Sequence, residues 1–409
     1  KNRILIFLLL QNILLLSSTF FRNNLFTLCH LIYTDTFYMK RKWIRWVSWI
    51  LLTPIILFVI LMVLLYVPPV QNLLRREVTA YASKATGMQI QVERIDLRFP
   101  LNLLVRGVEV IQQPDTLLSL ESLNVRVQAW PLIKGKVEVD EVTLSRVAVN
   151  SADLMEGMKI KGVLGRFFLQ SHGVDLSNEL AVINQVELSD THMQLLMNDT
   201  TTTPKDTTAS APINWKVALH QLKLKNVSFS MQLPADSMRM TAHIGEAAIN
   251  NAQADLKNQY YDLKKFLLSG TSASYDTGTA QPTEGFDASH IAVRDIRIAL
   301  DSLLYKGRDM NAVIREFTMN ERSGLSVTAL TGRAYSNDSV ICVPSLKLNT
   351  PHSEIDLSAH TYWELVNIPT TGRLSARLNA YIGKEDVMLF AGALPESFKE
   401  AYLFRPLVI

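Results

Sequence analysis

The sequence predicts a mainly β protein, with a single N-terminal transmembrane helix followed by an elongated, curved, antiparallel-type β-sheet that forms an open apolar groove. Three observations carry this. From Met88 onward the hydrophobic residues recur with period two rather than 3.6. One strand–bend–strand pattern returns several times along the chain. A charge-free run long enough to cross a bilayer precedes both. With 409 residues, 48% hydrophobic and 19% charged, the chain is too apolar for disorder and too charged for a polytopic membrane protein.

Residues 1–38 contain no Met. The first is Met39, followed by Lys40, Arg41, Lys42 and Arg45 and then a long apolar run. A membrane-targeted protein ordinarily starts this way, so 1–38 is read as an upstream or non-native extension and set aside before fold reasoning. Trp46 to Val67 carries no charge. As a helix it would be about 33 Å long, against a hydrocarbon core of roughly 30 Å. No small-x-small cleavage site follows it, so 39–67 is expected to be a cytoplasmic basic end and a retained anchor rather than a signal peptide. Positive-inside bias puts Lys40 to Arg45 in the cytoplasm and exports everything after Pro68, although Arg75 and Arg76 lie beyond the span. Trp43, Trp46, Trp49 and Tyr66 stand near its two ends, as an aromatic belt does.

Pro68 and Pro69 break that run. Val70, Leu73, Leu74, Val78, Tyr81 and Ala85 then recur at helical spacing until Gly87, predicting a short amphipathic helix over 68–87. Its apolar stripe is expected to cap one end of the sheet, with the bilayer surface as the alternative.

The repeated unit places apolar residues at i, i+2, i+5 and i+7. It is read in Leu118, Leu120, Leu123, Val125 and Val127; in Val137, Val139, Val142, Leu144, Val147 and Val149; in Leu222, Leu224, Val227 and Phe229; and in Ile291, Val293, Ile296 and Ile298. A step of three would turn the side chains to the opposite face of a straight strand. A bulge or bend is therefore expected at Glu121-Ser122, Ser145-Arg146, Lys225-Asn226 and Arg294-Asp295. Residues 88–197 and 214–409 form two such β segments, the second expected to be truncated. Between them, 198–213 is a polar Thr/Ser/Pro-rich loop; Thr271 to Gly285 reads as another, and Tyr260 to Leu268 as a short inserted helix. Roughly 20 strands about 4.8 Å apart would make a rod near 100 Å long.

Catalytic chemistry has little support. The eight histidines are dispersed, with no pair at i, i+3 or i+4 to present two imidazoles to a metal. No G-x-S-x-G, G-x-x-x-x-G-K or G-x-G-x-x-G occurs, and Gly162 to Gly165 is too short to serve as any of them. Cys29 and Cys342 alone exclude a multi-cysteine metal site. A formal charge of +3 lacks the dense basic footprint of a nucleic-acid reader. The expectation is a protein that is not an enzyme, uses no cofactor and binds no nucleic acid.

The order of basic N-terminus, one span, a Val-Pro-Pro break, a short helix, and Gly87-Met88-Gln89-Ile90 leading into Leu104-Val105-Arg106-Gly107-Val108-Glu109-Val110 resembles the N-terminal end of the AsmA/TamB family. Leu118 to Val127, the turn at Pro131 to Lys136, and Val137 to Val149 are similar to that family's opening sheet pattern. The resemblance implies a protein anchored in the inner membrane, with the bulk of the chain periplasmic, that moves phospholipid between membranes or assembles the outer envelope. Membrane phospholipid is then the partner. An outer-membrane barrel is a candidate partner as well, but the longer family chains meet it through a C-terminal domain, whereas Leu407-Val408-Ile409 reads as mid-protein. The lining of the groove would be Leu120, Leu123, Val125, Val142, Leu144, Val147, Leu222, Leu224, Val227, Phe229, Ile291, Val293, Ile296 and Ile298. The alternative is a non-catalytic scaffold or adaptor in outer-membrane protein assembly, its β core closed on its own side chains.

Overall fold

The computed structural model describes residues 66–409 apart from 100, 113–114, 129–130, 132–137, 152–156, 176–178, 198–213, 368–371, 391–406 and 409, together with Trp49, Leu52, Thr53, Ile56, Leu57, Ile60 and Val63 upstream. Those seven upstream residues are helical, but the expected span at Trp46 to Val67 lies largely outside the described set. Among the described residues no helix is long and apolar enough to cross a membrane. The expectations for 1–38 and 198–213 also fall on residues outside it.

The first element with described bounds is α1 (Pro68–Thr86), a proline opening it and Gly87 closing it at φ 71° with its N–H on the Ser83 carbonyl. β1 (Gln89–Arg98), β2 (Asn102–Gln112), β3 (Asp115–Val127), β4 (Val139–Asn150), β5 (Met158–Asp175) and β6 (Leu180–Met197) follow. Then come β7 (Lys216–Leu233), β8 (Met238–Asp255), β9 (Tyr260–Asp276), β10 (His290–Lys306) and β11 (Asp309–Glu321). The last part holds β12 (Ser326–Val327), β13 (Ala329–Ser336), β14 (Val340–Asn349), β15 (Glu354–Tyr362), α2 (Trp363–Asn367), β16 (Leu374–Ile382), α3 (Lys384–Leu389) and β17 (Leu407–Val408).

These strands make one sheet that does not close, each pairing with its neighbour in sequence, with β12 and β13 sharing β11. Among the described residues the strands number 17, two of them only two residues long, against the roughly 20 that the hydrophobic pattern suggests. All ladders are antiparallel except one: β6 and β7 run parallel, Leu180 opposite Lys216 and Leu196 opposite Gln232. Residues 198–215 separate that pair, enough for the crossover of a dozen or more residues that parallel neighbours need. Two further expectations are corrected. Tyr260 to Leu268 is not a helix but the first half of β9, and Thr271 to Asp276 completes the same strand, so the loop runs from 277 to 289.

The sheet is a single layer. Among the described residues its buried apolar side chains are Leu117, Leu120, Ala181, Ala247, Ala299, Val327 and Ala380, four of them alanines, and no large side chain is less than 2% exposed. Among the described residues no strand packs face to face on another, and the long helix α1 lies along the edge strand β1. A closed sandwich or barrel of this length would bury dozens of aliphatic residues completely.

Two lines of bends cross the strands. The first passes through Gly107, Glu121, Arg146, Gly165, Asp190, Asn226, Gly245, Gly270 and Asp295, each skipped by the ladder while the pairs on either side continue. Gly107, Arg146, Asp190, Asn226, Gly270 and Asp295 have φ between 47° and 59°, the left-handed region that Asp and Asn tolerate better than most residues. From β2 to β8 both partners skip one residue and register is kept, so the predicted irregularities at Glu121, Arg146 and Asn226 are shared bends rather than bulges. At Asp295 the register does shift on both sides, which is a true bulge. Glycine stands where the neighbour's bent backbone crowds in. A Cβ on Gly165 would lie 2.7 Å from Asp190 Cβ, and one on Gly245 would lie 2.7 Å from the Gly270 carbonyl oxygen. The second line, six residues further along each strand, passes through Asn184, His220, Asn251 and Lys264.

Candidate functional site: an uncovered apolar face

The bends keep one face apolar from β1 to β11. Directly opposed residues in a ladder share a face, so register alone settles which side chains line up. Ile95, Val105, Leu123, Leu144, Phe167 and Leu188 form one unbroken row from β1 to β6. It continues through Leu224, Ala247, Leu268, Ile298 and Phe317 to β11. A second row joins Leu103, Val125, Val142, Leu169, Val186 and Leu222, then Ile249, Phe266, Leu300 and Ile314. On the far side of the first bend line, Leu120, Val147, Leu164, Thr191 and Val227 make a third.

All fourteen residues named from the sequence lie on this one face. Leu120, Leu123, Val125, Val142, Leu144 and Val147 meet each other directly across β3 and β4. Leu222, Leu224, Val227 and Phe229 reach β4 through Val186, Leu188, Thr191 and Met193 of β6 and their partners in β5. Ile291, Val293 and Ile298 reach β8 through Tyr275, Ala273 and Leu268, while Ile296 pairs with Thr271 of β9 at the bend. The opposite face is wet. Arg106, Ser122, Ser145, Arg166, Ser189, Lys225, Glu246 and Ser269 run beside the apolar rows, pointing the other way. Along the first bend line Arg146 forms an ion pair with Glu121, and the Asn226 amide donates to Asp190 at 2.7 Å.

Sequence reasoning missed a third panel of the same face beyond the second bend line. Ile183, Leu219, Ala252, Leu263, Leu303 and Ala312 continue it, followed by Val217, Ala254, Tyr261, Tyr305 and Met310. The Tyr261 and Tyr305 rings sit 6.1 Å apart. The signal was present: in β9, Tyr261, Leu263, Phe266 and Leu268 repeat the i, i+2, i+5, i+7 spacing.

Several large side chains on this face are wetted, although Leu120 is buried. Phe229 is 41% exposed, Tyr261 42% and Leu303 42%. Among the described residues no group of three or more His, Cys, Asp or Glu is placed to hold a metal. One polar cluster lies at the start of β10, where Asp287 accepts hydrogen bonds from the Thr283 and Ser289 N–H groups and pairs with His290 at 2.9 Å. Those bonds hold the Asp287 carboxyl at about 2, below its ordinary 3.8. They tie the 277–289 loop to the start of β10.

Searched against models of known protein families and against curated proteins, the chain matches none.

Proposed function

We propose that this chain is a non-catalytic, membrane-anchored β-groove protein of the AsmA/TamB kind, which carries phospholipid acyl chains along the uncovered face of its sheet between the membranes of a cell envelope. The observation that supports this reading is the extent of that face. The five rows hold 37 residues, and at about 4.8 Å between strands and about 6.7 Å between successive same-face residues they amount to roughly 1200 Å². The largest apolar patch of an ordinary soluble monomer is about 300–600 Å². An aliphatic lining needs no catalytic group to hold an acyl chain, since each buried CH₂ contributes about 0.8 kcal/mol while the headgroup stays in water. In this reading Lys40 to Arg45 is cytoplasmic, Trp46 to Val67 spans the inner membrane, and the sheet is periplasmic.

Photo-crosslinkers at Val125, Leu144, Val227 and Ile296, compared with Glu121, Arg126 and Lys223, test it in cells. Lipid adducts confined to the first set support the conduit. Adducts at the second set, or at neither, remove it. Native mass spectrometry of the purified protein should find phospholipid bound, whereas a scaffold with a closed core would carry none.

A further inference from the structure

Three residues of the α1 stripe, Leu73, Val78 and Tyr81, do not cap the sheet. The helix meets β1 through its polar side. Gln71 donates to the Leu97 carbonyl at 2.9 Å and Arg75 to the Glu93 carbonyl at 2.8 Å, while Ser83 accepts from the Ile90 N–H at 3.1 Å. These bonds satisfy backbone groups that the edge strand would otherwise leave open. Leu73, Val78 and Tyr81 are turned out, at 58%, 51% and 72% exposed. Phe99, in the turn after β1, is 84% exposed and stands edge-on to Tyr66, 6.4 Å between ring centres. Helix and β1 run in opposite directions, so the start of α1 lies at the rim that carries Phe99.

We infer that α1 lies in the surface of a lipid bilayer, its stripe of Leu73, Val78 and Tyr81 sunk among the headgroups, so that the β1 end of the sheet rests against the membrane. The inference rests on the anchored reading proposed above. Three features select a bilayer as the occupant. The chain enters α1 directly from the charge-free run ending at Val67, which holds the helix near whatever that run inserts into. The stripe carries an aromatic residue with a polar tip, and Phe99 extends it past the helix end, as interfacial helices do. Arg76 lies beside the stripe, and Lys84 and Glu77 stand on the arc between Leu73 and Tyr81; all three are exposed, and the two cations suit anionic headgroups. Because α1 runs along β1, and β1 runs across the direction in which the strands stack, a helix flat on the membrane stands the sheet upright on it.

The test uses the full chain in vesicles of phosphatidylethanolamine and phosphatidylglycerol, with Cys29→Ser and Cys342→Ser as background. Leu73→Cys, Val78→Cys and Tyr81→Cys are each labelled with an environment-sensitive fluorophore, with Lys223→Cys as the wet control. All three stripe positions are exposed, so none of the changes removes packing. The expected result is blue-shifted emission at the three positions, quenching by lipids spin-labelled near the headgroup, and protection from aqueous iodide, with the reverse at Lys223→Cys. Iodide quenching at the stripe overturns the inference. So does iodide protection without lipid quenching, which would mean a protein partner or a second copy. Label at Ile60→Cys reports the anchor, and a crosslinker at Leu144 reports the groove. Lipid capture at Leu144 with a wet stripe sinks this inference alone; a buried stripe with Leu144 free of lipid sinks only the conduit.

Discussion

Leu144 sits mid-row on the apolar face, with Leu123 on one side and Phe167 on the other, and among the described residues no other strand or helix packs over β4. A leucine fully buried in a packed core contributes about 1.5–3 kcal/mol by transfer alone, and removing one there costs about 2–5 kcal/mol because a cavity remains. Here the side chain is part-exposed and no cavity forms, so Leu144→Ala should destabilise the protein by about 1 kcal/mol. Leu144→Asp should also fold, since water reaches the carboxylate from the open side. Lipid passage is a different matter. An acyl chain sliding over that carboxylate strips its water at a cost of several kcal/mol, and about 4 kcal/mol is near a thousandfold in occupancy. Urea unfolding of the detergent-purified full chain gives the stability, and quantitative lipid analysis of the same samples gives the load. Loss of more than about 3 kcal/mol in Leu144→Ala, or unfolding of Leu144→Asp, would mean a covered core and refute the single-layer argument. An unchanged lipid load in Leu144→Asp would refute the conduit while leaving the fold intact.

Gly245→Ala places a Cβ 2.7 Å from the Gly270 carbonyl oxygen, so β8 and β9 must part at the bend; a loss of about 1–3 kcal/mol in the unfolding free energy is expected, and an unchanged midpoint would contradict the crowding. Gly87→Ala meets no atom within 4 Å and changes only the cost of φ 71°, so it should weaken the end of α1 by about 1 kcal/mol, read as faster amide exchange over its last turn. The Asp287 carboxyl, held at about 2 in the folded protein against 3.8 ordinarily, contributes stability that is complete above the ordinary value and is lost as pH falls through 2. Amide exchange in the 277–289 loop should therefore quicken between pH 4 and pH 2 relative to the strands, and Asp287→Asn should make the loop equally loose throughout; a loop indifferent to both is the refuting result.

The alternation in β3, β4, β7 and β10 was legible because a one-sided strand writes its facing into every second residue, and the step of three located the bends. The same step misled the reading of β9. Leu263 and Phe266 stand three apart on one face, as in a helix, but the bend at Lys264 achieves that spacing in a strand. Gly165 and Gly245 are neutral when read singly; their meaning lies in the neighbouring strand, whose bent backbone approaches them, and pairing partners are not written in sequence order. The parallel β6–β7 pair was hidden for a related reason, since an apolar row looks identical whichever way the next strand runs. Only the length of 198–215 against tight turns such as 234–237 hinted at it. The polar side of α1 was misjudged because its partners are backbone groups of β1, which carry no side-chain signature.

A sheet with one aliphatic face has two ordinary remedies, a second layer or closure, and the bends explain why this one adopts neither. Each line of bends is fixed at the same level in successive strands, so the strands bend together and the apolar face stays in register from one panel to the next. Closure would require the edges to pair, but β1 has α1 bound along its free backbone groups, with the Ser83 hydroxyl both accepting from and donating to Ile90. Removing that hydroxyl in Ser83→Ala forfeits two bonds and leaves the Ile90 N–H and carbonyl open at the edge, at a cost of about 1–3 kcal/mol if they stay dry. The loss should appear first as amide exchange in β1 and as edge-to-edge association of the full chain on concentration, while the apolar rows from β3 to β10 keep their protection. If β3 to β10 loosen together with β1, the edge helix is holding the whole sheet rather than one strand, and the account of α1 as an edge cover fails.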